Sequence, residues 1–151
     1  MIYMKISKKC QYALKAILEI ARRNTSQAVK THDIACSQRI SQRFTEIILN
    51  ELKHGGFVES RRGNEGGYLL ARDHKTLTVR EVIEYIQGDI SVAPEALKDN
   101  GDASLFGDEA FKKLWQEVNN SVSEVCASKT FADLIDFENT KREKCVPNYN
   151  I

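Results

Sequence analysis

Residues 57–72, FVESRRGNEGGYLLAR, restrict the fold more than any other stretch of the chain. Phe57-Val58-Glu59-Ser60 and Tyr68-Leu69-Leu70-Ala71 are short runs rich in aromatic and branched apolar side chains. Gly63, Gly66 and Gly67 lie between them and supply turn geometry, so the pattern predicts a β-hairpin. Arg61 and Arg62 would then project from a tip with little bulk around it, where a guanidinium can enter a narrow, electronegative minor groove. Taken alone, the same residues describe an ordinary solvated hairpin equally well. The segments around them carry the argument further.

Ser7 is placed to cap a helix running to about Arg23, with Tyr12, Ala13, Ala16, Ile17, Ile20 and Ala21 forming an apolar stripe at three- and four-residue spacing. After the polar linker Asn24 to Gln27, Thr31 is expected to cap a short second helix through Ile34, Ala35 and Cys36. Ser41 is expected to cap a third, in which Phe44, Ile47, Ile48 and Leu52 recur at helical spacing to about His54. Two short helices joined by a tight turn, the second with a polar first turn, describe a helix-turn-helix. Gly55 and Gly56 stop that helix and lead into the hairpin, and Thr78 opens another helix carrying Val79, Val82, Ile83 and Ile86, closed by Gly88.

Periodicity then lapses from Asp89 to Gly107, and resumes with Phe111, Leu114, Trp115, Val118, Val122 and Val125 on one face of a long helix. The first part of the chain already has its own core, so this late apolar face needs another surface, and a two-fold partner is the economical one. A further short helix is expected around Phe131, Leu134, Ile135 and Phe137. The division expected is a winged helix-turn-helix domain over 1–88, a loop and candidate effector region over 89–107, dimerisation helices over 108–139 and a disordered tail over 140–151. The fold class is mainly α with a small β-hairpin wing.

The overall charge of +1 conceals an asymmetry: residues 1–89 hold 15 Lys and Arg against 10 Asp and Glu, whereas residues 90–151 hold 7 against 11. A polyanion would meet the first part and avoid the second. No apolar run approaches the roughly 20 residues of a membrane span, and a cytoplasmic protein is expected. Cys10, Cys36, Cys126 and Cys145 form no CxxC pair, and His32, His54 and His74 stand in no arrangement with a nucleophile. No enzyme, metal or cofactor is expected.

The order of elements, with the residues that mark it, resembles the Rrf-type, IscR/NsrR/CymR-like family of bacterial winged-helix transcriptional regulators. The resemblance rests on Tyr12-Ala13-Leu14-Lys15-Ala16, Asp33-Ile34-Ala35, Ile40-Ser41, Ile48-Leu49-Asn50-Glu51-Leu52 and Gly56-Phe57-Val58. It continues through Arg62-Gly63, Gly66-Gly67-Tyr68-Leu69-Leu70, Leu77-Thr78-Val79 and Val82-Ile83, and is strong over roughly residues 4–88.

The family resemblance implies a dimeric regulator, a repressor at a pseudo-palindromic operator in double-stranded DNA. It places Ser41, Arg43, Phe44 and Glu46 in the first turns of a recognition helix facing the major groove. Phe44 has a core role as its alternative. Arg62, beside Gly63, would enter the minor groove, and Gln42, Arg61, Lys9 and Tyr3 would contact phosphates. Iron–sulfur members of the family place three cysteines in the loop after the fourth helix. This chain has no cysteine or histidine between Gly88 and Gly107, so no cluster of that type is expected. Sensing would fall instead to an unknown small effector, to a partner protein, or to thiols at Cys10 and Cys36, with Lys8, Lys9 and a helix N-terminus favouring a Cys10 thiolate. The competing reading is a winged-helix adaptor that docks a partner enzyme; the arginines at a glycine-rich tip argue against it.

Overall fold

The computed structural model describes residues 5–23, 26–99, 101 and 104–145. The order is α1 (Lys8–Arg23), α2 (Thr31–Gln38), α3 (Gln42–His54), β1 (Val58–Arg61), β2 (Gly67–Leu70), α4 (Val79–Gln87), α5 (Asp108–Ser128) and α6 (Phe131–Cys145). A 3₁₀ turn, Pro94–Leu97, gives the expected loop between α4 and α5 some structure of its own. Among the described residues no helix is long and apolar enough to cross a membrane.

α1 is the hub, packing against α2, α3, α4, α6 and β2. Ser7 starts it as expected, its Oγ accepting from the Cys10 N–H at 3.1 Å. Ala13, Ala16 and Ala21 are small enough to let neighbouring helices approach, and Ile17 and Ile20 fill the space between them. Ile34 from α2 and Ile48, Leu49 and Leu52 from α3 complete a core in which each branched side chain contributes about 1.5–3 kcal/mol by leaving water.

Ser41 caps α3 by accepting from the Phe44 N–H, and Thr78 and Glu81 form a reciprocal capping box at the start of α4. Thr31 does not cap α2. It is the first helical residue, and Lys30 holds the cap position with no side-chain bond.

The seam between α1 and α2 contains a group the hydrophobic pattern did not announce. Glu19 is fully buried, and its carboxylate accepts from Arg22 (2.7 and 2.8 Å), Arg23 (2.9 Å) and Gln38 (2.9 Å). Burial alone would raise its pKa, but the hydrogen bonds from Arg22, Gln38, Arg23 and Ser37 outweigh it and hold the group at about 2. The end of α2 is thereby pinned to α1.

The C-terminal segment departs from the expected division. The α5–α6 junction returns to the first domain: the Val79 N–H donates to Lys129 (2.9 Å) and the Phe131 N–H to Leu77 (3.1 Å). Phe131 is buried in the common core and Leu134 and Ile135 pack against that core, so α6 belongs with the domain expected to end at residue 88. The expected disordered tail also begins too early, because α6 continues through Thr140 to Cys145, supported by the pair Arg142–Glu138 at 2.9 Å. Residues 146–151 lie outside the described residues.

Candidate nucleic-acid interface

α3 turns two faces to two environments. Thr45, Ile48, Leu49 and Leu52 are buried, while Gln42, Arg43, Glu46, Ile47 and Asn50 form a solvent-facing stripe. Two expectations exchange places here. Phe44, a candidate for base contact, turns inward and packs edge-on against Tyr12 with ring centroids 5.6 Å apart. Ile47, read from its spacing as a core residue, is 50% exposed on the outer stripe. The spacing was ambiguous because positions 44 and 47 lie side by side next to the buried row, and only position 44 is close enough to it to be covered. Gln42 reaches Glu46 at 3.4 Å along this face, and Ser41 stands exposed at its start.

The turn before α3 adds a residue that the motif reading missed. Arg39 closes α2 in the left-handed conformation, φ 53° and ψ 45°, with its N–H bonded to the last turn of the helix. A branched side chain is disfavoured at such a position, and glycine or asparagine is the usual occupant. Its exposed guanidinium next to the recognition helix is the signal that was available in the Gln38-Arg39 turn.

The wing is an antiparallel hairpin in the register Val58↔Leu70, Glu59↔Leu69, Ser60↔Tyr68 and Arg61↔Gly67. Val29, just before α2, extends it, exchanging two backbone hydrogen bonds of 2.8 Å with Tyr68. A Cβ at Gly67 would stand 2.3 Å from the Val29 carbonyl oxygen, so only glycine permits this third edge. The register corrects the placing of Arg61, which is a strand residue and not part of the tip. Its Nη1 donates to the Ser26 carbonyl at 3.3 Å and its Nη2 lies 4.0 Å from Glu59. Arg62 and Gly63 make the tip, with Gly63 at φ +104°.

Among the described residues, Arg22, Arg23, Arg61, Arg72, Arg80 and Arg142 form ion pairs, and Arg39, Arg43 and Arg62 do not. These three lie at the helix-turn-helix turn, on the outer face of α3 and at the wing tip. Lys9, a candidate phosphate contact, is instead engaged with Glu51 at 2.6 Å. Tyr3 lies outside the described residues.

The two thiols proposed as sensors differ sharply. Cys10 is fully buried, and burial pushes its pKa up to about 11, so the thiolate expected from Lys8, Lys9 and the helix N-terminus is not favoured. Cys36 is exposed on α2, its Sγ 3.5 Å from His32 Nε2. The six apolar residues expected to dimerise lie along α5, where Phe111 (58% exposed), Leu114 (44%) and Val125 (61%) are open to solvent and Trp115 stacks on Phe111 at 6.3 Å.

Residues 6–137 match the model of the Rrf2 family, described as an iron-dependent transcriptional regulator. The chain belongs to the Rrf2 family. The transcriptional regulator CymR of Bacillus subtilis is 30% identical over 140 residues, covering 93% of this chain and 96% of that protein. IscR of Escherichia coli is 30% identical over 134 residues, covering 88% and 81%. The solved structure of B. subtilis CymR, the global cysteine regulator, superposes with a TM-score of 0.76 at 28% identity over 88% of this chain and 97% of that one. IscR of T. potens gives 0.74 at 29% identity over 96% and 94%. This Rrf2 protein is therefore a DNA-binding transcriptional regulator with a winged-helix fold, not an enzyme.

The segment between α4 and α5 contains neither cysteine nor histidine, and among the described residues no cluster of three or more His, Cys, Asp or Glu is placed to hold a metal. Ser91 and Val92 are occupied in hydrogen bonds to Asn119 instead.

Proposed function

We propose that this Rrf2 protein is a dimeric repressor that reads a pseudo-palindromic operator with α3 in the major groove and Arg62 in the minor groove. The observation that carries the reading is the placing of the three unpaired arginines. An arginine already paired with a carboxylate meets a phosphate or a guanine edge in competition with that carboxylate, whereas Arg39, Arg43 and Arg62 have no ion pair among the described residues and meet it without that cost. Arg43 bonds a guanine edge or phosphate, Glu46 accepts from a cytosine amino group, and Ile47 meets a thymine methyl. Ser41, Gln42, Arg61 and, by extension of its helix, Lys9 fix the register on the backbone. Arg39 joins them.

The dimer uses α5. α5 is covered by α4 on one side only, and with Phe111, Leu114 and Val125 exposed, beside exposed Leu105 (74%) and Phe137 (68%) elsewhere, the chain leaves too much apolar surface uncovered for a monomer. A two-fold axis through α5 sets two copies of α3 about 34 Å apart, one turn of duplex. Repression follows from occupying the site that polymerase needs.

The test is a fluorescence-anisotropy titration of the protein with its own upstream DNA and with a scrambled duplex, across a salt series. Sequence-selective binding is expected, with the log–log salt slope reduced by about 1 for each of Arg39→Ala and Arg62→Ala when these contact phosphates. Equal affinity for both duplexes, unchanged by either substitution, would refute the proposal.

A further inference from the structure

α5 runs back along α4: its end meets the start of α4 through the Val79–Lys129 bond, and its middle meets the residues after α4 through Asn119. Two packed helices normally close their seam with apolar side chains. Here α5 presents Asn119, Ser123 and Cys126, at i, i+4 and i+7, toward α4, and a cavity of about 260 Å³ remains between them. The cavity is smaller than the roughly 300 Å³ at which drug-sized sites begin, and its lining joins Ile83 and Ile90 to polar side chains that can hydrogen-bond an occupant.

Its rim carries opposite charges. Arg80 donates through Nε to Glu84, which leaves its terminal NH₂ groups available, and half of its side chain is open to solvent. Asp89 lies close enough to feel the Arg80 charge and makes no hydrogen bond among the described residues. Its lining also includes exposed Asn120 and half-buried Ser91 and Ser123. A guanidinium fork, a free carboxylate and a lining of small neutral polar groups match a molecule that bears carboxylate and ammonium on one carbon.

We propose that the cavity between α4 and α5 binds a free α-amino acid, with Arg80 holding its carboxylate, Asp89 its ammonium, and Ser123 and Asn120 its side chain. The site joins the DNA-reading domain to the helix on which the dimer is proposed to form. Asn119 fixes the linker over the cavity: its Oδ1 accepts from the Val92 N–H at 2.7 Å and its Nδ2 donates to Ser91 Oγ at 3.3 Å. The proposal does not depend on the DNA reading, because neither the ligand nor its test involves DNA.

Cys126 lines the cavity and is half-buried, whereas Cys36 is exposed at a distance from it, so the chain contains its own footprinting probe and reference. The full-length reduced protein is labelled with iodoacetamide, and the rate at each cysteine is followed by mass spectrometry with and without alanine, serine, asparagine or glutamine. Ethylamine and propionate serve as probes carrying one charge only. At least one amino acid is expected to slow labelling of Cys126, by roughly tenfold at ten times its Kd, with Cys36 unaffected. Ethylamine and propionate should give no protection, and Arg80→Gln, a substitution on the surface, should abolish it. Unchanged Cys126 rates with all four amino acids, equal protection by a single-charge probe, or retained protection in Arg80→Gln would each overturn the proposal.

Discussion

α3 spans 13 residues and buries Thr45, Ile48, Leu49 and Leu52, whereas α5 spans 21 residues and buries none. Both are amphipathic. The first finds cover for its apolar face within its own chain, in the alanine-rich wall of α1, and its outer face is free to vary in response to DNA. The second rests on α4 with a polar stripe and leaves its aromatic stripe uncovered. A helix that satisfies itself is free to read a ligand; the helix that does not is the one on which the dimer is proposed. The arrangement separates the two tasks expected of the chain, and substitutions on the two helices should separate them as well.

The largest effect is expected from Phe111→Glu combined with Leu114→Glu. Both positions are exposed, so the fold should survive while the α5 interface does not. Sedimentation should change from dimer to monomer, and operator affinity should fall by about 10²–10⁴-fold as the second half-site is lost. A double variant that remains dimeric would place the interface elsewhere. Leu49→Ala is expected to cost about 2–5 kcal/mol in urea unfolding, because its side chain is fully buried. In the same monomeric background Val125→Ala should change stability by less than about 0.5 kcal/mol. Similar losses at the two positions would contradict the contrast between the helices.

Reading α1, α3, the wing and α4 from sequence succeeded where one residue type forces one geometry. Ser41 and Thr78 have side chains that cap, and both cap, whereas Thr31, read the same way, is the first residue of its helix. Gly67, expected only as a turn residue, lies instead in β2 and lets Val29 approach. The failures occurred where neighbours distant in sequence decide. Phe44 and Ile47 both suit the helical spacing, and only the position of Tyr12 assigns one inward and the other outward. Arg61 looked like a tip residue until Val29 extended the sheet and set the register. Which arginines stand without an ion pair among the described residues was similarly hidden, because it depends on which carboxylates lie within reach of the other six. Phe131 carried no local sign that it belongs to a core built more than a hundred residues earlier around α1.

A third prediction concerns what holds the recognition unit closed. Glu19 has its pKa lowered from 4.5 to about 2, so its contribution is complete above about pH 4.5 and is lost as pH falls toward 2. The contribution is at most about 3 kcal/mol. Acid unfolding of Glu19→Gln should therefore be flatter than wild type between pH 4.5 and 2, with the difference at its greatest at neutral pH. Parallel stability curves for the two proteins would show that the carboxylate is not the anchor.

The smallest effect tests the outer face of α3 against its own start. Ile47→Ala should cost about 1 kcal/mol in operator affinity, by losing contact with a thymine methyl, and almost nothing in folding, since the side chain is half exposed. Ser41→Ala should do the reverse in folding, costing about 1 kcal/mol because its Oγ accepts from the Phe44 N–H at 3.3 Å. That bond also orients the first turn, on which Gln42 and Arg43 stand, so affinity should fall with stability. Ser41→Asp restores an acceptor and should recover the folding loss, but its negative charge faces the phosphates. Recovered stability with affinity still reduced would separate the cap from the contact. Recovery of both would show that Ser41 acts on DNA only through the helix it begins.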